Sequence, residues 1–297
     1  MGEQLFTPYF RDRSELPASL PTTLEILASA EIIKGTEAWS ARKVVGVSEH
    51  FIAKYSQHND AIEGINLLFL ERNNLRGFAP LLYAMWKEAD GTLFLVMERL
   101  RGNTLISLWP ILREPEKDNI IDQTRTIISK IRGVAHEGFF GAVNKTYMPY
   151  HLFYWPGYPA HISGPFTTER ELLQGLISKS RANAQDNGRH SYLADFFEEQ
   201  LEEVLTADGR GPVFTHCDLQ RKNILVEEVA EANDKKTFRV SLVDWESSGW
   251  YPVYWEYFAA FNSFKWEDDW CSKVSRAVIA WPAETAMMKM VYQDLWM

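Results

Sequence analysis

Phe214-Thr-His-Cys-Asp-Leu-Gln-Arg-Lys-Asn-Ile-Leu-Val226, followed by Val240-Ser-Leu-Val-Asp-Trp-Glu246, decides the reading of this chain. It sets His216, Asp218 and Asn223 in a short loop and Asp244 at the end of an apolar run. A carboxylate and a carboxamide in one loop can face an attacking hydroxyl and a magnesium ion, and a second carboxylate can hold that ion against phosphates. On this reading Asp218 is the candidate base, Asn223 and Asp244 are candidate metal ligands, and Leu225 is the apolar surface beneath an adenine ring. His216 braces the loop by hydrogen bonding.

Working upstream, phosphate transfer also calls for a fixed cation on a strand and an acid to hold it. Lys54 ends the run Phe51-Ile-Ala-Lys54, and Glu63 follows nine positions later in an apolar-periodic segment. Alone, such a pair is an ordinary salt bridge worth about 0–1 kcal/mol. Met97-Glu-Arg-Leu100 leaves a second β-rich run, so the backbone at Glu98 and Leu100 is placed to meet the adenine edge. It is the ordered set of Lys54, Glu63, Asp218, Asn223 and Asp244 that points to a nucleotide site.

The surrounding pattern predicts an irregular lead-in over 1–20, a short helix from Leu24 to Ile33 and a hairpin of Lys43–Val47 with Phe51–Tyr55. A helix from about Asn59 to Asn73 and strands over Leu81–Lys87 and Leu93–Glu98 follow. Beyond residues 98 to 102 helices dominate: one carries Ile120 to Val134 and ends near Gly138, one begins at the capping box Thr168-x-x-Glu171 and runs to about Ser180, and one spans Tyr192–Leu205. The expected architecture is α+β: a small β-rich N-terminal lobe over 1–100 and a larger, mainly helical lobe over 101–297 that carries the loop and metal site.

Hydrophobic residues make up 46% of the 297 and charged residues 24%, an ordinary globular balance. The formal charge of −9 and the lack of a dense basic run argue against a nucleic-acid partner. Cys217 and Cys271 are the only cysteines, which favours a reducing compartment over a disulfide framework. No apolar segment approaches the roughly 18 residues of a membrane span, and the N-terminus lacks signal-peptide character. A cytoplasmic location is expected.

The motifs resemble the aminoglycoside phosphotransferase family, which has a bilobal kinase-like fold and is related to choline and fructosamine kinases. That family's pattern is His-Gly-Asp-Leu-x-x-x-Asn-Ile-Leu with a later aspartate; here His216-Cys-Asp-Leu-Gln-Arg-Lys-Asn-Ile-Leu225 and Asp244-Trp-Glu246 stand in its place. Gly102-Asn-Thr-Leu-Ile-Ser-Leu-Trp109, Gly164-Pro-Phe-Thr-Thr-Glu169 and Tyr251-Pro-Val-Tyr-Trp-Glu-Tyr257 look like its fungal subgroup. The resemblance implies ATP, with GTP as the other option, a magnesium ion and a small-molecule acceptor phosphorylated on a hydroxyl or, in second place, an amine. Cys217 departs from the usual glycine. A protein kinase fits less well, since no Gly-x-Gly-x-x-Gly precedes Lys54 and Asp-Trp-Glu replaces Asp-Phe-Gly. A catalytically silent nucleotide-binding or scaffold protein is the alternative.

Two stretches bear on the acceptor. Trp266-Glu-Asp-Asp-Trp270 reads first as a solvated acidic helix start with its indoles packed inward, and second as a dock for a cation. Tyr147-Met-Pro-Tyr-His-Leu-Phe-Tyr-Trp-Pro-Gly-Tyr158 reads equally as a lid over a ring-bearing substrate and as a loop packed on the helical core.

Overall fold

A computed structural model describes residues 7–36, 42–57, 60–205, 210–232, 235–263 and 266–296. Its elements run β1 (Tyr9–Phe10), α1 (Thr23–Leu27), β2 (Ile32–Lys34), β3 (Lys43–Val47), β4 (Phe51–Ser56), α2 (Ile62–Arg72), β5 (Leu82–Lys87) and β6 (Leu93–Glu98). Then come β7 (Asn103–Thr104), α3 (Leu105–Leu108), α4 (Glu114–Arg132), α5 (Ala160–Ser163), α6 (Glu169–Asp186) and α7 (Tyr192–Leu205). The chain finishes with β8 (Val213–Thr215), β9 (Ile224–Ala232), β10 (Lys235–Leu242), β11 (Gly249–Tyr251), α8 (Trp255–Asn262), α9 (Trp270–Ala277) and α10 (Pro282–Trp296).

The N-terminal strands form an antiparallel six-stranded sheet in the order β1-β5-β6-β4-β3-β2. Lys54 lies opposite Leu95 on its central strand, β4, so sheet register fixes where its side chain leaves the backbone. Two smaller sheets, β10-β9-β7 and β11-β8, lie in the mainly helical region that follows. The β9–β10 pairing sets Leu242 opposite Ile224, which brings the run before Asp244 alongside the end of the Asp218 loop.

The α+β, bilobal kinase-like layout is present, with local departures from the sequence expectations. The helix from Leu24 stops at Leu27, and Ile32–Lys34 pairs with β3 as a strand. The Thr22–Glu25 capping box starts that helix, but the β-branched Ile32 and Ile33 prefer the pleated edge. Nor is the lead-in idle. Tyr9 and Phe10 extend the sheet, while Arg11 donates to the Leu82 carbonyl at 2.9 Å and pairs with Glu71. Finally, α4 closes at Arg132, before Gly138, and α6 runs past Ser180 to Asp186. The helix anticipated from about Asn59 is observed from Ile62, position 59 being outside the described residues.

One hydrophobic core crosses between the two regions. Leu67, Leu68 and Leu70 of α2 join Phe214, Trp245 and Trp250 in it, and Phe69 meets Phe214 at a ring separation of 4.9 Å. Burying each such side chain contributes about 1.5–3 kcal/mol, so α2 is held against the loop that carries Asp244. A second core gathers Met148, Tyr150, Phe153 and Trp255 with α6, α7 and α10 beneath the Asp218 loop.

Candidate active site

Glu63 lies in the first turn of α2 and is 5% exposed; Lys54 is 6% exposed. Their charged ends meet at 2.7 Å, and the same ammonium reaches Asp244 at 2.8 Å and Glu246 at 2.7 Å. Lys34 adds a contact to Asp244 at 3.1 Å and Arg42 one to Glu246 at 2.9 Å. Burial opposes the charge on Lys54, but Glu63, Asp244 and Glu246 outweigh it and raise its pKa above the ordinary value. Burial would also raise Asp244, yet Lys54 and Lys34 hold its carboxyl well below the usual range. For Glu63, burial and the neighbouring acids win over Lys54, and its pKa rises. Glu63 moves upward chiefly through burial, whereas Lys54 moves upward because its one ammonium faces three carboxylates.

Asp244 sits at φ +67, a left-handed conformation costly for a residue with a Cβ. The turn is enforced from both sides. Trp245 packs fully buried, and Asn66 of α2 donates to the carbonyls of Trp245 at 2.8 Å and Ser248 at 3.0 Å. Asn66 therefore fixes the position of Glu63's helix relative to Asp244. The sequence carried no signal for Asn66, because its partners lie 179 and 182 positions away.

The second half of the site is the Asp218 loop. Asn223 donates to the Asp218 carboxylate at 2.6 Å and to its backbone carbonyl at 3.0 Å; Gln220 donates to the other carboxylate oxygen. Lys222 lies 3.5 Å from the carboxylate. His216 is a brace, as expected: its Nδ1 accepts from the Asp218 amide at 3.2 Å, which leaves Nε2–H to donate to the Val243 carbonyl at 3.1 Å. The Val243 amide in turn donates to the Asn223 carbonyl at 2.9 Å. These links join the Asp218–Asn223 pair to the residue preceding Asp244. Beneath them the buried Glu256 accepts the His216 amide at 2.7 Å, a support that sequence reasoning did not find.

Cys217 occupies the glycine position of the pattern at φ +68, which explains why glycine suits it. Its thiol is buried, and burial pushes its pKa up, so it sits there as a small apolar side chain rather than a nucleophile.

The residues expected at a nucleotide edge are less gathered. Glu98 ends β6 with its amide on the Leu81 carbonyl at 2.9 Å and its carboxylate accepting the Leu81 amide at 3.2 Å. Glu98 and Leu100 line a cleft of about 580 Å³ that also includes Arg76, Gln123 and Arg239. Leu225, half-buried on β9 opposite Ser241, is not part of that cleft's wall.

Oxygen donors of the kind magnesium takes gather where the Lys54 ammonium sits. Glu63, Asp244 and Glu246 offer carboxylate oxygens within 4.8 Å of one another, a hard-oxygen set. Glu246 and Glu63 join Asp244 there, whereas the Asn223 amide nitrogen is committed to Asp218.

Residues 63–289 match the model of the phosphotransferase enzyme family termed APH. The chain belongs to this family. No curated protein matches this APH-family chain. Among solved structures it is similar to a gentamicin–APH(2")-IIa complex, with TM-score 0.57 and 14% identity over 94% of this chain and 89% of that one. It is also similar to ADP-bound aminoglycoside phosphotransferase APH(2'')-Ib, with TM-score 0.56 and 13% identity over 89% and 83%. A streptomycin–ATP–APH(2")-IIa ternary complex gives 0.54 and 13% over 89% and 84%. At these identities the likeness concerns the fold. In the acidic run of this APH-family chain Asp268 pairs with Arg221 at 2.7 Å and Asp269 accepts from Trp109 at 2.8 Å; Trp270 is packed inward as expected, but Trp266 is 62% exposed. Among the described residues no helix is long and apolar enough to cross a membrane.

Proposed function

We propose that the protein transfers the γ-phosphoryl group of ATP, with magnesium, to a hydroxyl of a small molecule. One observation carries the reading: a buried lysine bonded at once to Glu63 and Asp244, beside a loop in which Asn223 holds Asp218. Lys54 would meet the α- and β-phosphates, with Glu63 keeping its ammonium in place. Asp244, with Asn223 and the nearby Glu246, would hold the magnesium ion, which supplies charge neutralisation for the phosphates. Glu98, Leu100 and Leu225 would form the adenine surround, and the lobes would divide at residues 100 and 101. Asp218 takes the acceptor's proton as its oxygen bonds to the γ-phosphorus. The bond from that phosphorus to the bridging oxygen breaks, giving ADP and a phosphate ester.

The experiment is ADP release from ATP against a panel of hydroxylated and amine-bearing small molecules, with phosphorylated product identified by mass. An acceptor-dependent product carrying one added phosphate supports the reading. Release unaffected by every acceptor, in protein shown to bind ATP, favours the silent nucleotide-binding alternative.

A further inference from the structure

Beside the transfer centre lies a cavity of about 380 Å³, lined by Tyr147, Tyr154, Tyr158 and Trp296 together with Arg42, Asp60 and Glu246. That volume suits a small ligand. The aromatic stretch divides between the core and the cavity wall. Met148, Tyr150, Leu152 and Phe153 pack into the second core, while Tyr154 and Tyr158 remain 53% and 42% exposed on the cavity side. The wall is a built surface. Tyr147 stacks on Tyr158 at 4.3 Å, Tyr154 meets Tyr158 edge-on at 5.6 Å, and Tyr158 holds φ +46, which a bulky residue adopts only under constraint.

Two polar groups in this wall have capacity left over. Asp60 accepts the Ile62 amide at 2.7 Å and makes no ion pair among the described residues. The Nε2 atom of His151 is buried without a hydrogen-bond partner. Burial, aided by Lys179, depresses the His151 pKa to about 4, so its ring is neutral near pH 7, and it lies close enough to feel the charge of Asp218. Lys179 fixes the turn beneath by donating to the carbonyls of Leu152 at 2.9 Å and His151 at 3.4 Å.

We propose that this cavity receives the acceptor, and that the acceptor is a flat, ring-bearing molecule with a hydroxyl and a protonated amine. The inference rests on the phosphotransferase reading above. The tyrosine and tryptophan faces cover the ring, Asp60 takes the amine, and the orphaned nitrogen of His151 meets the hydroxyl. Aromatic faces also favour the cation directly.

Tyramine serves as the probe, titrated calorimetrically into the full chain in the presence of MgATP. Two controls lack one feature each: 4-ethylphenol has no amine and glucosamine no aromatic ring. Tyramine is expected to bind at least about tenfold more tightly than either. Tyr158→Ala should weaken it about fivefold or more, and Asp60→Asn should bring tyramine and 4-ethylphenol to similar affinity. Retained MgATP binding checks that each variant is folded. Equal binding of glucosamine, tyramine binding unmoved by both substitutions, or no saturable binding of tyramine to protein that does bind MgATP would overturn the cavity assignment alone. Absence of MgATP binding in the wild type would overturn the phosphotransferase reading and the acceptor assignment together.

Discussion

Asn66 donates its side-chain amide to the backbone of Trp245, and through that bond the helix bearing Glu63 is tied to the turn bearing Asp244. Glu63 and Asp244, two of the three acids that share Lys54, come from segments far apart in the chain, and this buried amide sets their relative position.

Asn66→Ala strips two buried carbonyls, of Trp245 and Ser248, of a donor. Each unsatisfied group costs about 1–3 kcal/mol, so a total loss of about 2–6 kcal/mol is expected, read as a lower urea midpoint at unchanged slope. A shift below about 0.5 kcal/mol would show that the bond does not hold the helix in place.

Asp218→Ala removes the proposed base while leaving Lys54, Glu63 and Asp244 in their contacts. Turnover of any identified acceptor should fall about 10²–10⁴-fold with ATP affinity nearly unchanged. Steady-state rates beside a binding titration separate the two effects; wild-type turnover in this variant would remove Asp218 from the chemistry.

Lys179 is buried on α6 without a carboxylate partner among the described residues, and burial lowers its pKa from 10.5 to about 8. Between those values the unfolded chain binds more protons than the folded one, so this group's contribution to stability rises with pH and is lost as pH falls through about 8. Relative to Lys179→Met, the wild type should gain on the order of 2 kcal/mol between pH 8 and 10.5. Parallel stability curves for the two proteins across that window would show that the ammonium is solvated.

Cys217 is buried with a raised thiol pKa, whereas Cys271 is partly exposed. Titration of the native protein with a thiol reagent should modify Cys271 first, and Cys217 only on denaturation, because the thiolate is the reactive form. Rapid native labelling at Cys217 would mean that the Asp218 loop opens readily.

The residues of the candidate site were legible because they fall in short runs: His216 to Leu225 and Asp244 to Glu246 each carry type and spacing together. Lys54 and Glu63 were legible because strand and helix periods placed them in order. What the sequence hid were partners distant along the chain. Asn66, Arg11 and Glu256 read as ordinary polar residues, and only folding brings them to Trp245, Glu71 and His216. The Ile32–Ile33 run was ambiguous for a different reason. A short apolar segment fits helix or strand alike, and pairing with β3 decides it. The aromatic stretch could not be resolved because neighbouring rings in it face opposite ways, some into the core and some into the cavity.

Lys54 and Asp244 are the foundation of the proposed magnesium-dependent nucleotide site. Calorimetric titration of ATP, with and without magnesium, into the wild type and Asp244→Ala tests it. Magnesium should tighten ATP binding to the wild type and have no such effect on the variant. Magnesium that tightens ATP equally in both proteins, or a folded wild type that binds neither ATP nor GTP, would contradict it.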